Sequence, residues 1–155
     1  MAGIRQGLAE FGYVEGQNLT IEYRWADGVY HRLPALAAEL ISARVDVIVT
    51  QAPPAARAAK SATPTIPIVF AVGTDPVVEG LVASLARPGG NVTGVTLLSA
   101  DLMAKRLDLI SELVPRARLF ALLVNPQNPN NWISEAQAIA RAKGVQLQGL
   151  NAETP

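Results

Sequence analysis

Cysteine is absent from this chain, which removes disulfides, zinc–thiolate centres and cysteine nucleophiles together. Histidine occurs once, as His31, so multi-histidine metal sites are excluded and any serine–histidine triad has a single candidate. Aromatic residues make up 5% of the sequence, too few for the stacking platforms that hold single-stranded nucleic acid. An excess of either charge is missing too, because 13 Lys+Arg against 13 Asp+Glu leave zero formal charge. A protein that coats nucleic acid or an anionic bilayer needs a concentrated basic face, so neither is expected as a partner. Apolar runs such as Ile66-Pro-Ile-Val-Phe-Ala-Val72 fall far short of the ~20 residues that cross a bilayer. The opening Met1-Ala-Gly-Ile-Arg-Gln-Gly7 contains no apolar segment of a secretory leader.

What is present is a core. Half of the 155 residues are hydrophobic and 17% are charged, the composition of one folded domain or a pair of small ones. Helical and strand patterns alternate along the chain. Ile4, Leu8 and Phe11 share one face of an opening helix that ends near Gly12, and Leu33, Leu36, Ala37, Leu40 and Ile41 repeat the helical spacing. Between them, 18–25 alternates apolar with polar and reads as a strand near a sheet edge. Val45-Asp-Val-Ile-Val-Thr50 and Ile66–Val72 read as buried strands flanking a helix at 55–60. A helix over 77–86, a turn at 87–91 and a strand over 92–97 follow. The spacing then predicts a long helix over 101–114, the strand Leu119-Phe-Ala-Leu-Leu-Val124, a helix over 132–143 and a strand over 145–150. Repeated strand–helix crossovers imply an α/β fold: a three-layer parallel sheet with helices on both faces. The pattern opens on a helix with no strand ahead of it and closes on a strand with no helix after it, so the fold is expected to be truncated at both ends.

In an open parallel sheet, ligands bind beyond the carboxyl ends of the strands, where loops enter helix N-termini. Thr50-Gln-Ala-Pro-Pro-Ala55 follows one buried strand, with prolines suited to a first helical turn. Its hydroxyl and backbone N–H groups would suit a carboxylate, although a plain loop and helix start explain it as well. In Gly73-Thr-Asp-Pro-Val77, Asp75 would either accept a ligand ammonium or cap the next helix. Asn125-Pro-Gln-Asn-Pro-Asn-Asn131 is rich in amides that suit a polar ligand or a simple turn, and Ser99-Ala-Asp101 reads mainly as a helix cap. Phosphate-binding loops, the Gly-x-Ser-x-Gly elbow and paired catalytic carboxylates are not found. No cofactor is implied and nothing argues for an enzyme.

Taken together, these residues resemble a known family. Phe11-Gly-Tyr-Val-Glu-Gly-Gln-Asn-Leu-Thr-Ile-Glu-Tyr-Arg-Trp-Ala26, Leu33-Pro-Ala-Leu-Ala-Ala-Glu-Leu40 and Val45–Thr50 carry the first part of the likeness. Ile66–Phe70, Asp75-Pro-Val77, Gly80-Leu-Val-Ala-Ser-Leu-Ala-Arg-Pro-Gly-Gly-Asn-Val-Thr-Gly94 and Leu123-Val-Asn-Pro126 complete it. The chain is similar to the ABC-transporter substrate-binding proteins that include the tryptophan-binding TrpX-type members.

The resemblance implies a periplasmic-binding-protein fold of type I, whose two lobes close on a small ligand. Residues 1–97 would be most of a first lobe lacking its initial strand, and 98–155 the crossover and start of a second. The matching cleft residues are Thr50, Gln51, Ala52 and Ala55, then Thr74 and Asp75, and from the other lobe Asn125 and Asn128. Thr50, Gln51 and the N–H groups near Ala55 would receive a carboxylate, Asp75 an ammonium, and the asparagines would close over the ligand. The implied partners are an amino-acid-like ligand and a membrane permease, with a periplasmic or lipid-anchored extracytoplasmic location. An exposed sheet edge would favour self-association of the chain. The rival readings are the effector-sensing domain of a regulator and a flavodoxin-like nucleotide-binding enzyme; the first needs a helix-turn-helix and the second a phosphate loop or catalytic cluster.

Overall fold

The computed structural model describes residues 2–97, 102–125 and 133–152. Ala2–Glu10 forms α1, Leu33–Ser42 α2, Ile48–Gln51 β1, Pro53–Ala62 α3, Ile68–Val72 β2 and Val92–Thr96 β3. Met103–Leu113 (α4), Leu119–Val124 (β4), Ile133–Ala142 (α5) and Gln146–Asn151 (β5) follow. Strands β1, β2 and β3 lie side by side in one parallel sheet, and β4 pairs with β5 in a second, also parallel.

The first sheet is organised by α3. Ile48, Ile68, Phe70, Val72 and Val92 turn one face of the strands inward, where they meet Ala56 and Ala59 of the helix and Leu81 and Val82 of the following loop. An alanine face lets the helix approach the β-branched side chains closely, and α2 packs on α3 from outside. Full burial of Ile68 and Leu81 stabilises the fold by about 1.5–3 kcal/mol each. In the second unit Leu107 of α4, Ala140 of α5 and Val145 form a smaller core against Phe120 and Leu147.

The parallel α/β architecture is the expected one, but three details differ. Among the described residues, helices cover one face of the first sheet and not both: β1 and β2 alternate buried with exposed, leaving Val49, Val69 and Val95 on an open face. A run of Val and Ile carries no polar mark of which face is wet, so a strand packed on one side and a strand packed on both read alike.

Residues 20–26 form neither helix nor strand, and among the described residues the pairing nearest to them is an isolated bridge between Glu15 and Leu19. Alternation records which side chains could share a face, whereas a strand also needs a neighbouring backbone. Tyr23 and Trp25, two residues apart, do share a side, and their rings stack at 6.2 Å. Arg24 lies within reach of Glu22 and Glu39, and bonding first to Glu22 and then to Glu39 raises its pKa above the ordinary arginine value.

The helix expected over 77–86 is a single turn. Asp75 accepts N–H bonds from Val77 and Val78 at 2.7 and 3.4 Å, and Gly80, at φ +67°, ends the turn in the left-handed region. Leu81 N–H donates to Pro76 O at 2.8 Å and Gly80 N–H to Val77 O at 2.9 Å, the paired bonds of a Schellman stop. Beyond this stop Leu81 and Val82 both enter the core.

Gly94 on β3 faces Phe70 across the ladder, and a Cβ there would lie 2.1 Å from the Phe70 carbonyl oxygen and 2.6 Å from its ring. Gly94→Ala should therefore destabilise the chain by about 2 kcal/mol, read as a lowered melting temperature by circular dichroism. An unchanged melting temperature would show that β3 does not sit this close to β2.

Candidate ligand site

The carboxyl ends of β1 and β2 are adjacent because the strands are parallel and in register, with Thr50 beside Phe70 and Gln51 beside Ala71. Backbone bonds tie these ends together. Ala52 N–H donates to Ala71 O at 3.1 Å and Leu97 N–H to Val72 O at 3.0 Å, while the Thr96 hydroxyl donates to Thr74 O at 2.7 Å.

Within this stitched end lie Thr50 and Thr74, 8% and 7% exposed. The Oγ1 atom of each is buried and has no hydrogen-bond partner. A buried hydroxyl left unpaired costs about 1–3 kcal/mol, so each marks a position where a bound water or a ligand acceptor would be stabilised. Both can donate a hydrogen bond, as an anion bound near the carboxyl ends of the strands would require.

The start of α3 contributes less than its position suggests. Pro53 and Pro54 occupy its first two positions and have no N–H, and the Ala56 N–H is already donated to Ala52 O at 3.2 Å. Ala55 N–H is left as the first-turn donor, one group where the sequence suggested several. Ala52, the residue that turns the chain from β1 into α3, holds φ 72° and ψ 148°. That region is nearly reserved for glycine and costs an alanine about 1–3 kcal/mol. Strain at the junction between Thr50 and Ala55 is what a loop shaped for a ligand displays.

Of the residues singled out from sequence, Thr50, Gln51, Ala52, Ala55, Thr74 and Asp75 all fall at this end of the first sheet. Gln51 and Ala52 are exposed, and Ala55 and Asp75 half-buried. Asp75 caps the turn that follows it through Oδ1, which leaves Oδ2 available to a ligand. Asn125 is exposed just beyond β4, at the carboxyl end of the second sheet, and Asn128 lies outside the described residues. Thr96, which fixes Thr74 through its backbone, was not singled out; the only sequence signal for it is its place at the end of β3. A groove of about 570 Å³ between α2 and α3 is lined by Tyr30, Leu33, Ile41, Pro54, Arg57 and Ser61; of these only Pro54 belongs to the segment that follows β1. Among the described residues no cluster of His, Asp or Glu could hold a metal ion, and no helix is long and apolar enough to cross a membrane.

The model of a family described as ABC transporter substrate binding protein matches residues 1–154. The chain belongs to that family. A tyrosine-binding protein of Clostridioides difficile (strain R20291) is 36% identical over 132 residues, which are 84% of this chain and 37% of the relative. Among solved structures, a conserved domain protein from Vibrio cholerae O1 biovar El Tor is 37% identical with a TM-score of 0.85, covering 97% of this chain and 51% of that one. An ABC domain from Streptococcus pneumoniae, solved in complex with L-Trp, is 29% identical with a TM-score of 0.78 over the same shares. This chain thus spans about half the length of those solved chains and 37% of the curated relative. Two of these proteins are described with aromatic amino acids.

If the hydroxyls are unpaired, deleting them relieves a penalty. Thr50→Val and Thr74→Val should each raise the ligand-free melting temperature, by an amount equivalent to ~1 kcal/mol. A fall in melting temperature on thermal unfolding would show that the hydroxyls are already satisfied within the chain.

Proposed function

We propose that this chain supplies the first half of the ligand cleft in the substrate-binding component of an ABC importer, and that the ligand is an amino acid with an aromatic side chain. The observation that carries the reading is the pair of buried, unpartnered hydroxyls of Thr50 and Thr74 at adjacent carboxyl strand ends. The family, and the amino acids named for two relatives, give the class of ligand.

The ligand carboxylate accepts from the Thr50 and Thr74 hydroxyls, from Ala55 N–H and from the Gln51 amide. Such charge-assisted bonds contribute about 1.5–3 kcal/mol apiece. Asp75 receives the ammonium on Oδ2 while Oδ1 continues to cap its turn. Residues 1–97 and 98–155 belong to two lobes, and Asn125 and Asn128 approach the ligand from the second. Contacts to both lobes favour the closed form, because a ligand shifts such an equilibrium only through its differential affinity for the two states. Function is therefore capture and hinge closure with no bond made or broken. The closed form is what a permease would recognise, in a periplasmic or lipid-anchored setting.

Calorimetry with L-tryptophan and L-tyrosine, beside tryptamine and indole-3-propionate, separates the two polar ends. The full amino acids should bind, and loss of either charged group should cost tenfold or more, about 1.4 kcal/mol. Asp75→Ala should weaken L-tryptophan by the same factor and leave indole-3-propionate unaffected. Equal affinity of parent and Asp75→Ala for L-tryptophan would take Asp75 out of the site, and no binding of any amino acid would overturn the reading.

A further inference from the structure

Helix α3 touches more than the sheet. One turn and a half into it, Arg57 Nη1 is paired with Glu79 Oε2, a carboxylate whose side chain is 16% exposed. Three residues on, Lys60 Nζ donates to Gly80 O at 2.6 Å and to Leu81 O at 3.2 Å. Residues three apart lie on one helix face, so both cations meet the same short turn, 76–82, that follows Thr74 and Asp75. Its Schellman stop uses the carbonyls of Pro76 and Val77, and the Lys60 ammonium satisfies those of Gly80 and Leu81.

An exposed ion pair would carry little weight, at about 0–1 kcal/mol. This one differs because Glu79 is largely withdrawn from water, where a carboxylate without a partner is costly, and because Lys60 holds backbone instead of another side chain. The same helix begins at Ala52, beside Thr50. A single rigid element is thus fixed at its start to the loop after β1 and along its side to the turn after β2. It spans the end of β1, which carries Thr50, and the segment after β2, which carries Thr74.

We propose that Arg57, Lys60 and Glu79 are positioning residues: they latch the 76–82 turn to α3 and thereby hold Thr74 and Asp75 in place relative to Thr50 and Ala55. None of the three contacts the ligand. The ligand part of this inference rests on the function proposed above, whereas the latch itself does not.

The test compares the parent chain with Arg57→Glu, Glu79→Arg, the charge-swapped double variant, and the milder Lys60→Met and Glu79→Gln in case a reversal prevents folding. Amide hydrogen exchange over residues 73–82 reads the latch, and L-tryptophan affinity reads its consequence. Each single change should speed exchange in that segment tenfold or more and weaken L-tryptophan about tenfold, and the charge swap should restore both most of the way. Exchange as slow as in the parent for all single variants would overturn the latch. Faster exchange with unchanged affinity would overturn its role in positioning the site. A parent chain that binds no amino acid would refute the functional reading, leaving exchange and its rescue by the swap to decide the latch alone.

Discussion

The contact on which the rest depends is the alanine face of α3 against Ile48 and Ile68. Small side chains on the helix and branched ones on the strands bring the two layers close, and that closeness decides where the helix can begin. The chain has a single residue, Ala52, to turn from the end of β1 into the first turn of α3. It does so at a strained backbone angle, fixed because the flanking strand and helix are both anchored in the core. Packing energy gathered between the layers is thereby spent on a shaped loop at the sheet's carboxyl end. Thr50 reaches that end on the inward face of β1, and Thr74 on the continuation of β2.

Much of this was legible in the sequence. Strands β1, β2, β4 and β5 and helices α2 to α5 lie within a few residues of where hydropathy periodicity puts them, and β4 coincides with Leu119–Val124. Those elements are dictated by side-chain patterning that local reading captures. The Gly89-Gly-Asn91 segment was legible as a turn, and its chemistry follows from the structure. Gly89 and Gly90 take left-handed backbone angles, and the Asn91 amide donates to Thr63 O and Ile66 O, clasping the approach to β2. Gly94 is small because Phe70 occupies the space its side chain would need.

The misreadings have two causes, a missing strand partner and a local helix stop. Residues 18–25 have the alternation of a strand and no backbone to pair with among the described residues. The 77–86 segment has helix-forming residues, yet Gly80 stops it and the core takes Leu81 and Val82 together. The site was found by place, since loops after parallel strands are few. Its decisive property, that the threonine hydroxyls are buried without partners, exists only in three dimensions. The same holds for Arg57 and Glu79, 22 residues apart and unremarkable until α3 brings them together.

Everything functional rests on Thr50 and Thr74 acting as donors to an arriving carboxylate. The most direct measurement is an NMR titration of the chain with L-tryptophan, following backbone amides and threonine methyl groups. Shifts concentrated at Thr50, Ala55 and Thr74, saturating together, are the predicted result. Saturating shifts confined to the α2–α3 groove around Tyr30 and Ser61, with the two threonines silent, would contradict it.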